Sequence, residues 1–426
     1  MKKEFLLYLF FCPLFIFVIL SCSDSLVKEY PESIQLVLTN NLEQDRFDEL
    51  IVLGIEKMKE KYPDFNPNAF LVLENGKELS SQANDLDQDG LKDEIVFVSD
   101  FSAKEQKTIT IRYAESGNRT HSYVKRTQAE LSHKVGGEFV NRKYEGGTFK
   151  NVEHLRVPPQ HTDHSLYIRY EGPGWESDKI GYRFYLDWRN AVDIFGKIIP
   201  GMVLQDVGQD GFDSYHEMSS WGMDILKVGE SLGIGSIGMW IQGRAERVSK
   251  TDSIFCTIVA NGVVQSKIRT DYSGWKAGDR KYDLSSELTI NAGSRLTRND
   301  LSITGNPFNL CTGIVKHDSA HIIQSTDLPG EWQYLATYGR QSLANDMLGM
   351  VIFYRKQDIV EKTDDEQSWV VVLKPENDRL QYYFAAAWEK EPNGITSEAD
   401  FVSYLNETVI RLDNPVRVEF KESGEE

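Results

Sequence analysis

The sequence predicts a mainly β protein: a large antiparallel β-sandwich, of ordinary or supersandwich size, with a smaller β-rich module on its N-terminal side. Three observations predict it. Short runs of alternating apolar and polar residues follow one another along most of the chain, separated by Gly- and Pro-containing turns. Aromatic residues make up 11% of a chain that also holds 32 Gly, which suits short strands joined by turns. With 426 residues the chain exceeds what one hydrophobic core comfortably organises, so two units are expected.

The first element is a leader. Lys2 and Lys3 precede an apolar run from Phe5 to Leu20 that contains Pro13 and is short for a membrane span. Ile19-Leu20-Ser21-Cys22, followed by Ser23-Asp24-Ser25, resembles a bacterial lipoprotein signal. Residues 1–21 then read as a signal peptide, and Cys22 as the lipidated first residue of a periplasmic or cell-surface lipoprotein held to the membrane without spanning it. The formal net charge of −18 argues against nucleic acid as a partner. An anionic ligand would need a local basic site that overcomes the global field. Cys256 and Cys311 sit in apolar strand-like contexts, either paired or simply buried. Oligomeric state is not legible.

Residues 22–115 form the smaller module. Strands are expected at Ile34–Leu38, Glu49–Leu53, Phe70–Leu73, Glu94–Val98 and Lys107–Arg112, with a short helix at Ile55–Tyr62. Between two of them, Asp85-Leu86-Asp87-Gln88-Asp89-Gly90-Leu91-Lys92-Asp93 supplies carboxylates at alternate positions and a Gly for the bend. Asp85, Asp87, Asp89 and Asp93 are the hard oxygen ligands Ca²⁺ takes, so the loop reads as a structural calcium site. No cofactor is expected for catalysis.

Residues 116–130 read as a linker, 131–420 as the sandwich and 421–426 as a disordered tail. One helix is expected near the C-terminus, where Ser397 and Asp400 make a capping-box-like start before Phe401. The stretch from Tyr167 to Gly196 organises the larger unit. Gly172-Pro173-Gly174 marks a turn. From Ile180, residues alternate: Ile180, Tyr182, Phe184, Leu186 and Trp188 form a row that can bury. Gly181, Arg183, Tyr185, Asp187 and Arg189 form a polar ladder with a step of about 6.6 Å. Such a ladder is a solvated ion-paired face or the floor of a polar-ligand site. Trp175 and the acidic cluster around Glu176 favour the site.

Three further groups could carry chemistry. Gln160-His161-Thr162-Asp163-His164 offers imidazoles, but no third ligand follows at a spacing that would hold a metal. Phe212 to Asp224 gathers Tyr215, His216, Trp221 and several carboxylates between Gly-rich loops; Tyr and His are proton carriers, while a structural loop with Trp221 in the core is the plain alternative. His317 and His321 lie in a segment that reads as strand, which keeps them off one helix face. Nucleophile-elbow, Walker and dinucleotide motifs are absent from the sequence.

The segments EGPGWESDKIGYRFYLDWRNAVDIFGK, SYHEMSSWGMDILKVGESLGIG, LATYGRQS and YYFAAAWE resemble a family long catalogued only as a domain of unknown function, found in secreted lipoproteins of polysaccharide-degrading bacteria. One member type is an ulvan oligosaccharide dehydratase. The resemblance implies a carbon–oxygen lyase that removes water from a terminal uronic acid to leave a 4,5-unsaturated sugar. It assigns no catalytic residues; the following roles come from the chemistry. Arg183 or Arg189 would meet the charge that builds on the substrate carboxylate. His216 with Tyr215 is the first acid–base pair, and His161 or His164 with Tyr185 the second. Asp187 would orient an Arg or hold a sugar hydroxyl, Glu176 would join the binding residues, and Trp175 and Trp221 would stack on pyranose rings. Two other readings stay open: a glycoside hydrolase using two of Glu171, Glu176, Asp178 and Asp187, and a non-catalytic glycan-binding lipoprotein.

Overall fold

The computed structural model describes residues 26–211, 213–325 and 328–421. The leader, Cys22 and residues 422–426 lie outside them. No helix among the described residues is long and apolar enough to cross a membrane. The protein is mainly β, built from antiparallel sheets.

The N-terminal module pairs a five-stranded sheet with a three-stranded one around Ile34, Leu36, Val72, Ile95, Phe97 and Ile111. The expected strands are present as Glu32–Thr39, Arg46–Gly54, Phe70–Glu74, Glu94–Phe101 and Gln106–Tyr113, and the helix as Ile55–Lys61 (α1). One strand comes from far along the chain: Arg417–Phe420 pairs with Glu32–Thr39, Leu36 opposite Phe420. Sequence placed it in the larger unit, but its apolar side completes the module's core with Val418 and Phe420. A buried Arg46, which donates to the carbonyl of Asn414, ties the same two regions together.

The larger unit is a sandwich. A nine-stranded sheet shares one core with two five-stranded sheets. Its strands alternate as their composition demands. Met350, Ile352 and Tyr354 enter the sandwich core, while Val351 and Phe353 meet the C-terminal helix Glu398–Asp413 (α2) on the opposite face through Phe401, Leu405 and Val409. Ser397 Oγ caps α2 by accepting from Asp400 N at 3.1 Å. Cys256 and Cys311 are both buried, and neither pairs with another cysteine among the described residues.

One of the five-stranded sheets positions the site. Its strands are β1 (Thr127–Glu130), β2 (Gly174–Ser177), β3 (Gly181–Phe184), β4 (Val192–Lys197) and β5 (Gly222–Asp224); β2 to β5 form a meander, and β1 pairs with β2 although three strands of other sheets lie between them in the chain. Residues 127–130, read as linker, are therefore a buried strand. A two-stranded hairpin, Ser132–Val140 with Lys143–Asn151, stands outside the sheets. Its tip residue Arg142 pairs with Asp163 at 3.0 Å.

Candidate active site

The register of the meander puts two chemistries on two faces. Trp175 stands opposite Tyr182, and Tyr182 opposite Ile194; this face packs into the sandwich core. On the other face Arg183 stands opposite Asp193, and Asp224 opposite Phe195. That polar face is not wet. Tyr170, Val203, Leu204, Val207 and Tyr215 cluster over Phe195 and close it. Strand β3 ends at Phe184, so the ladder that sequence continued to Arg189 bends away as a loop.

Arg183 is the hub and is 2% exposed. Its Nη1 donates to Tyr215 Oη at 2.7 Å and its Nη2 to Tyr185 Oη at 2.9 Å. Nε and Nη2 both reach Asp193 Oδ2, at 3.1 and 2.7 Å, and Nη2 also reaches Asp224 Oδ2. Tyr185 Oη donates to Asp193 Oδ2. The guanidinium is thus consumed by the protein. Sequence offered Arg183 as a direct clamp on substrate; it instead holds two phenols and two carboxylates in place, because every donor in a buried site must find an acceptor.

Arg189 is the second cation. It lies over the Tyr185 ring, 3.8 Å from the centroid, and pairs with Glu171 at 2.8 Å and with Asp187. Among the described residues its bonds run through Nε and Nη2, which leaves Nη1 for a ligand. Glu171 also accepts from the backbone N–H of His164 at 2.7 Å. The loop that carries it is strained: Tyr170 and Glu171 have φ of 38° and 71°, and His164 and Leu166 are left-handed as well. Successive non-Gly residues in that region each cost about 1–3 kcal/mol and persist where the surroundings hold them for a purpose.

The electrostatics follow from burial and crowding. Asp224, fully buried with Asp193 beside it, is held well above the usual carboxylate range despite Arg183. Burial pushes the Tyr215 phenol up, with Arg183 offsetting part of the rise, so near neutrality it is a phenol with a proton to give. Burial would raise Glu171, but Arg183 and Arg189 outweigh it and hold it below its ordinary value. His216, at the rim with its side chain 37% exposed, brings Nε2 to 3.5 Å from Asp224 Oδ2 and its ring centroid to 4.6 Å from that of Tyr215.

The sites expected from sequence thus divide. Arg183, Tyr185, Arg189, Tyr215 and His216 come together, and Asp187 orients Arg189. Trp221 is half-buried, edge-on to Phe195 at 5.9 Å. His164 is exposed, 3.6 Å from Asp163. His161 is buried instead, its Nδ1 at 2.9 Å from Ser165 Oγ and its Nε2 at 3.4 Å from the Glu171 carbonyl, and props the strained loop. Trp175 is not a sugar platform: it is 1% exposed, stacks on Tyr182 and donates to Thr297 Oγ1. Glu176 does not bind ligand either. It pairs with the buried Lys197 at 2.5 Å and accepts the backbone N–H groups of Val203 and Leu204, so it anchors the covering loop. Asp178 is taken by Arg126 and Gly293 N. Trp188, placed by alternation in the buried row, is 39% exposed because the strand has ended.

Sequence reasoning missed Asp193. The signal was available: a hairpin closing near Trp188 sets Asp193 across from Arg183, where cross-strand ion pairs form.

In the N-terminal module, ligand atoms of Asp85, Asp87 and Asp89 lie within 4.8 Å of one another. Asp85 Oδ2 accepts from Gly90 N at 2.9 Å, while its Oδ1 is buried without a hydrogen-bond partner. That orphaned oxygen fits a hard cation. Asp93 bonds Leu86 N at 2.6 Å and so closes the loop.

Comparison with known proteins adds the following. A family model described as "Domain of unknown function (DUF4861)" matches residues 38–418. "Uncharacterized protein P7" of Formosa agariphila is 21% identical over 427 residues, covering 93% of this chain and 95% of that protein. Among solved structures, an alpha-mannosidase from Enterococcus faecalis V583 aligns with 96% of this chain and 48% of its own at 11% identity and a TM-score of 0.44. A glycosyl hydrolase family 38 protein from Enterococcus faecalis aligns with 96% and 50% at 9% identity and a TM-score of 0.40. The chain therefore spans about half the length of these solved structures, and likenesses of this order bear on neither activity nor substrate.

Proposed function

The chain belongs to the DUF4861 family, and on that premise we propose that it is a carbohydrate hydro-lyase: it removes water from the terminal uronic acid of ulvan-type oligosaccharides and leaves a 4,5-unsaturated end. The observation that carries this reading is the Tyr215 phenol, 2% exposed under the covering loop and fixed 2.7 Å from Arg183, with His216 alongside at the rim; the substrate reaches the phenol as that loop gives way. His216 takes the C5 proton. The C5–H electrons form the C4–C5 double bond, and the C4–O bond breaks. Tyr215 protonates the departing oxygen, which leaves as water, and its phenolate is met by the Arg183 guanidinium until a proton returns. Arg189, backed by Asp187 and Glu171, meets the charge that develops on the substrate carboxylate. A glycoside hydrolase is disfavoured, because Glu176 and Asp178 are engaged structurally and the remaining candidates, Glu171 and Asp187, are both paired with Arg189.

Incubation with ulvan oligosaccharides tests the reading. Ultraviolet absorbance from the conjugated double bond should rise, with loss of one water from the mass and no chain cleavage. New reducing ends without a chromophore would sink it. Around this activity, the proposal includes a structural Ca²⁺ on Asp85, Asp87 and Asp89 and a lipid anchor on Cys22, placing the enzyme at the periplasmic or outer cell surface.

A further inference from the structure

Beside the catalytic cluster runs an open cleft of about 690 Å³. His161, Asp187 and Trp188 line one side; Arg156, Lys250, Lys276 and Lys281 line the rest, with Asp252 among them. The protein carries a net charge of −18, yet here cations outnumber carboxylates, and both carboxylates are spent. Asp187 is held by Arg189, and Asp252 by Lys281 at 2.6 Å.

The lysines are adjacent in the backbone. Lys276 stands directly opposite Lys281 in the register of strands Gln265–Ala277 and Arg280–Asn291, and Lys276 N donates to the Lys250 carbonyl at 2.8 Å. Like charges set side by side across strands destabilise a sheet. Asp252 answers Lys281, and Glu246, the carboxylate that feels the charge of Lys250, is itself paired with Arg244 at 3.0 Å, so among the described residues Lys250 and Lys276 form a local excess. Trp188 completes the cleft: its Nε1 donates to Asp163 at 3.2 Å, which fixes an exposed indole at the junction with the catalytic cluster.

We infer that this cleft is a second subsite, for an anionic sugar unit bearing a carboxylate or a sulfate ester, and that Trp188 stacks on the ring that bridges it to the catalytic cluster. The inference rests on the reading of the cluster as a saccharide site. A chain whose terminal carboxylate sits at Arg189 passes Asp187 and Trp188 as it leaves, and its next acidic group then meets Lys250 and Lys276. Neutralising that row turns a standing repulsion into binding energy, and a basic cleft on an acidic protein also steers the ligand to one place.

The test is binding, which needs no turnover. Calorimetric affinities are measured on the full chain for a chondroitin 4-sulfate tetrasaccharide, its unsulfated counterpart and neutral maltotetraose, for wild type and for K250E/K276E. A single exposed charge contact contributes little, and two reversed together contribute more. Reversing two should therefore weaken the acidic ligands about tenfold, more at low salt than at high, and leave maltotetraose unmoved. Loss for both acidic ligands identifies a carboxylate as sufficient; loss for the sulfated one alone identifies the sulfate ester. The same variant should melt no lower than wild type at low salt, since it removes a like-charge row, and K250Q/K276Q should show the same direction of effect at smaller size. Unchanged acidic affinities, no wild-type binding of either acidic ligand, or an equal loss for maltotetraose overturns the subsite. Charge-dependent binding without dehydration overturns the proposed reaction alone; dehydration with charge-independent binding overturns the subsite alone.

Discussion

Tyr215→Phe removes one oxygen from the centre of the site and tests the acid role directly. In the folded protein that oxygen accepts from Arg183 Nη1 at 2.7 Å. The ring keeps its edge-on contact with Phe195 at 5.8 Å and its place beside His216. Arg183 keeps its bonds to Asp193, Asp224 and Tyr185. A hydrogen bond to a charged group is worth about 1.5–3 kcal/mol. With the guanidinium still anchored elsewhere the stability cost should fall near the lower end, about 1.5–2 kcal/mol, against a typical total of about 5–15 kcal/mol. The variant should fold. Its rate should fall by about 10²–10⁴, the usual worth of a positioned general acid, or about 3–5 kcal/mol in barrier. The assay is the initial rate of conjugated product, with kcat and KM resolved and folding checked by urea titration. The loss should lie in kcat, because the proton moves only in the transition state. Tyr185→Phe is the comparison: that phenol is bound between Arg183 and Asp193, so its loss should show in stability more than in kcat. A folded Tyr215→Phe enzyme within tenfold of wild type in kcat would refute the assignment.

Three more outcomes are expected. Arg183→Met strands Asp193 and Asp224 without their buried cation and should cost about 3–5 kcal/mol in urea unfolding; adding Asp193→Asn should return part of it, and additive losses would break the hub argument. His161 is buried, and burial holds its pKa below the ordinary value. The unfolded chain therefore takes up the proton first, so stability is full above about pH 6.5 and falls as pH drops below it, by at most about 1.4 kcal/mol per unit; melting curves from pH 7.5 to 5.5 should show a smaller decline in His161→Asn than in wild type. EDTA should lower the melting temperature and Ca²⁺ restore it, by about 2.7 kcal/mol at a hundredfold excess over Kd, with Asp85→Asn abolishing the difference.

The local signals in the chain were strong where they rested on local physics. Alternation located the strands of the N-terminal module, the Ser397 cap located α2, and the Asp-rich loop brought its carboxylates together because its own turn does so. The convergence of the residues after the Gly-Pro-Gly bend with Tyr215 and His216 was also anticipated, and Arg183 meets Tyr215 directly. What failed was the assignment of water. Period two says which residues share a face; it does not say what covers that face.

The sequence by itself determined the antiparallel β class and the side of β3 from which Arg183 projects. Only tertiary structure decided that this side is buried, since a loop pinned by Glu176 folds over Phe195 and Arg183. It decided too that Trp175 fills the core while Trp188 faces solvent, and that the last strand returns to the first. The reason is that side-chain alternation is a property of neighbouring dihedrals, whereas burial and a donor's choice of acceptor depend on segments remote in the chain, whose arrival no local pattern records.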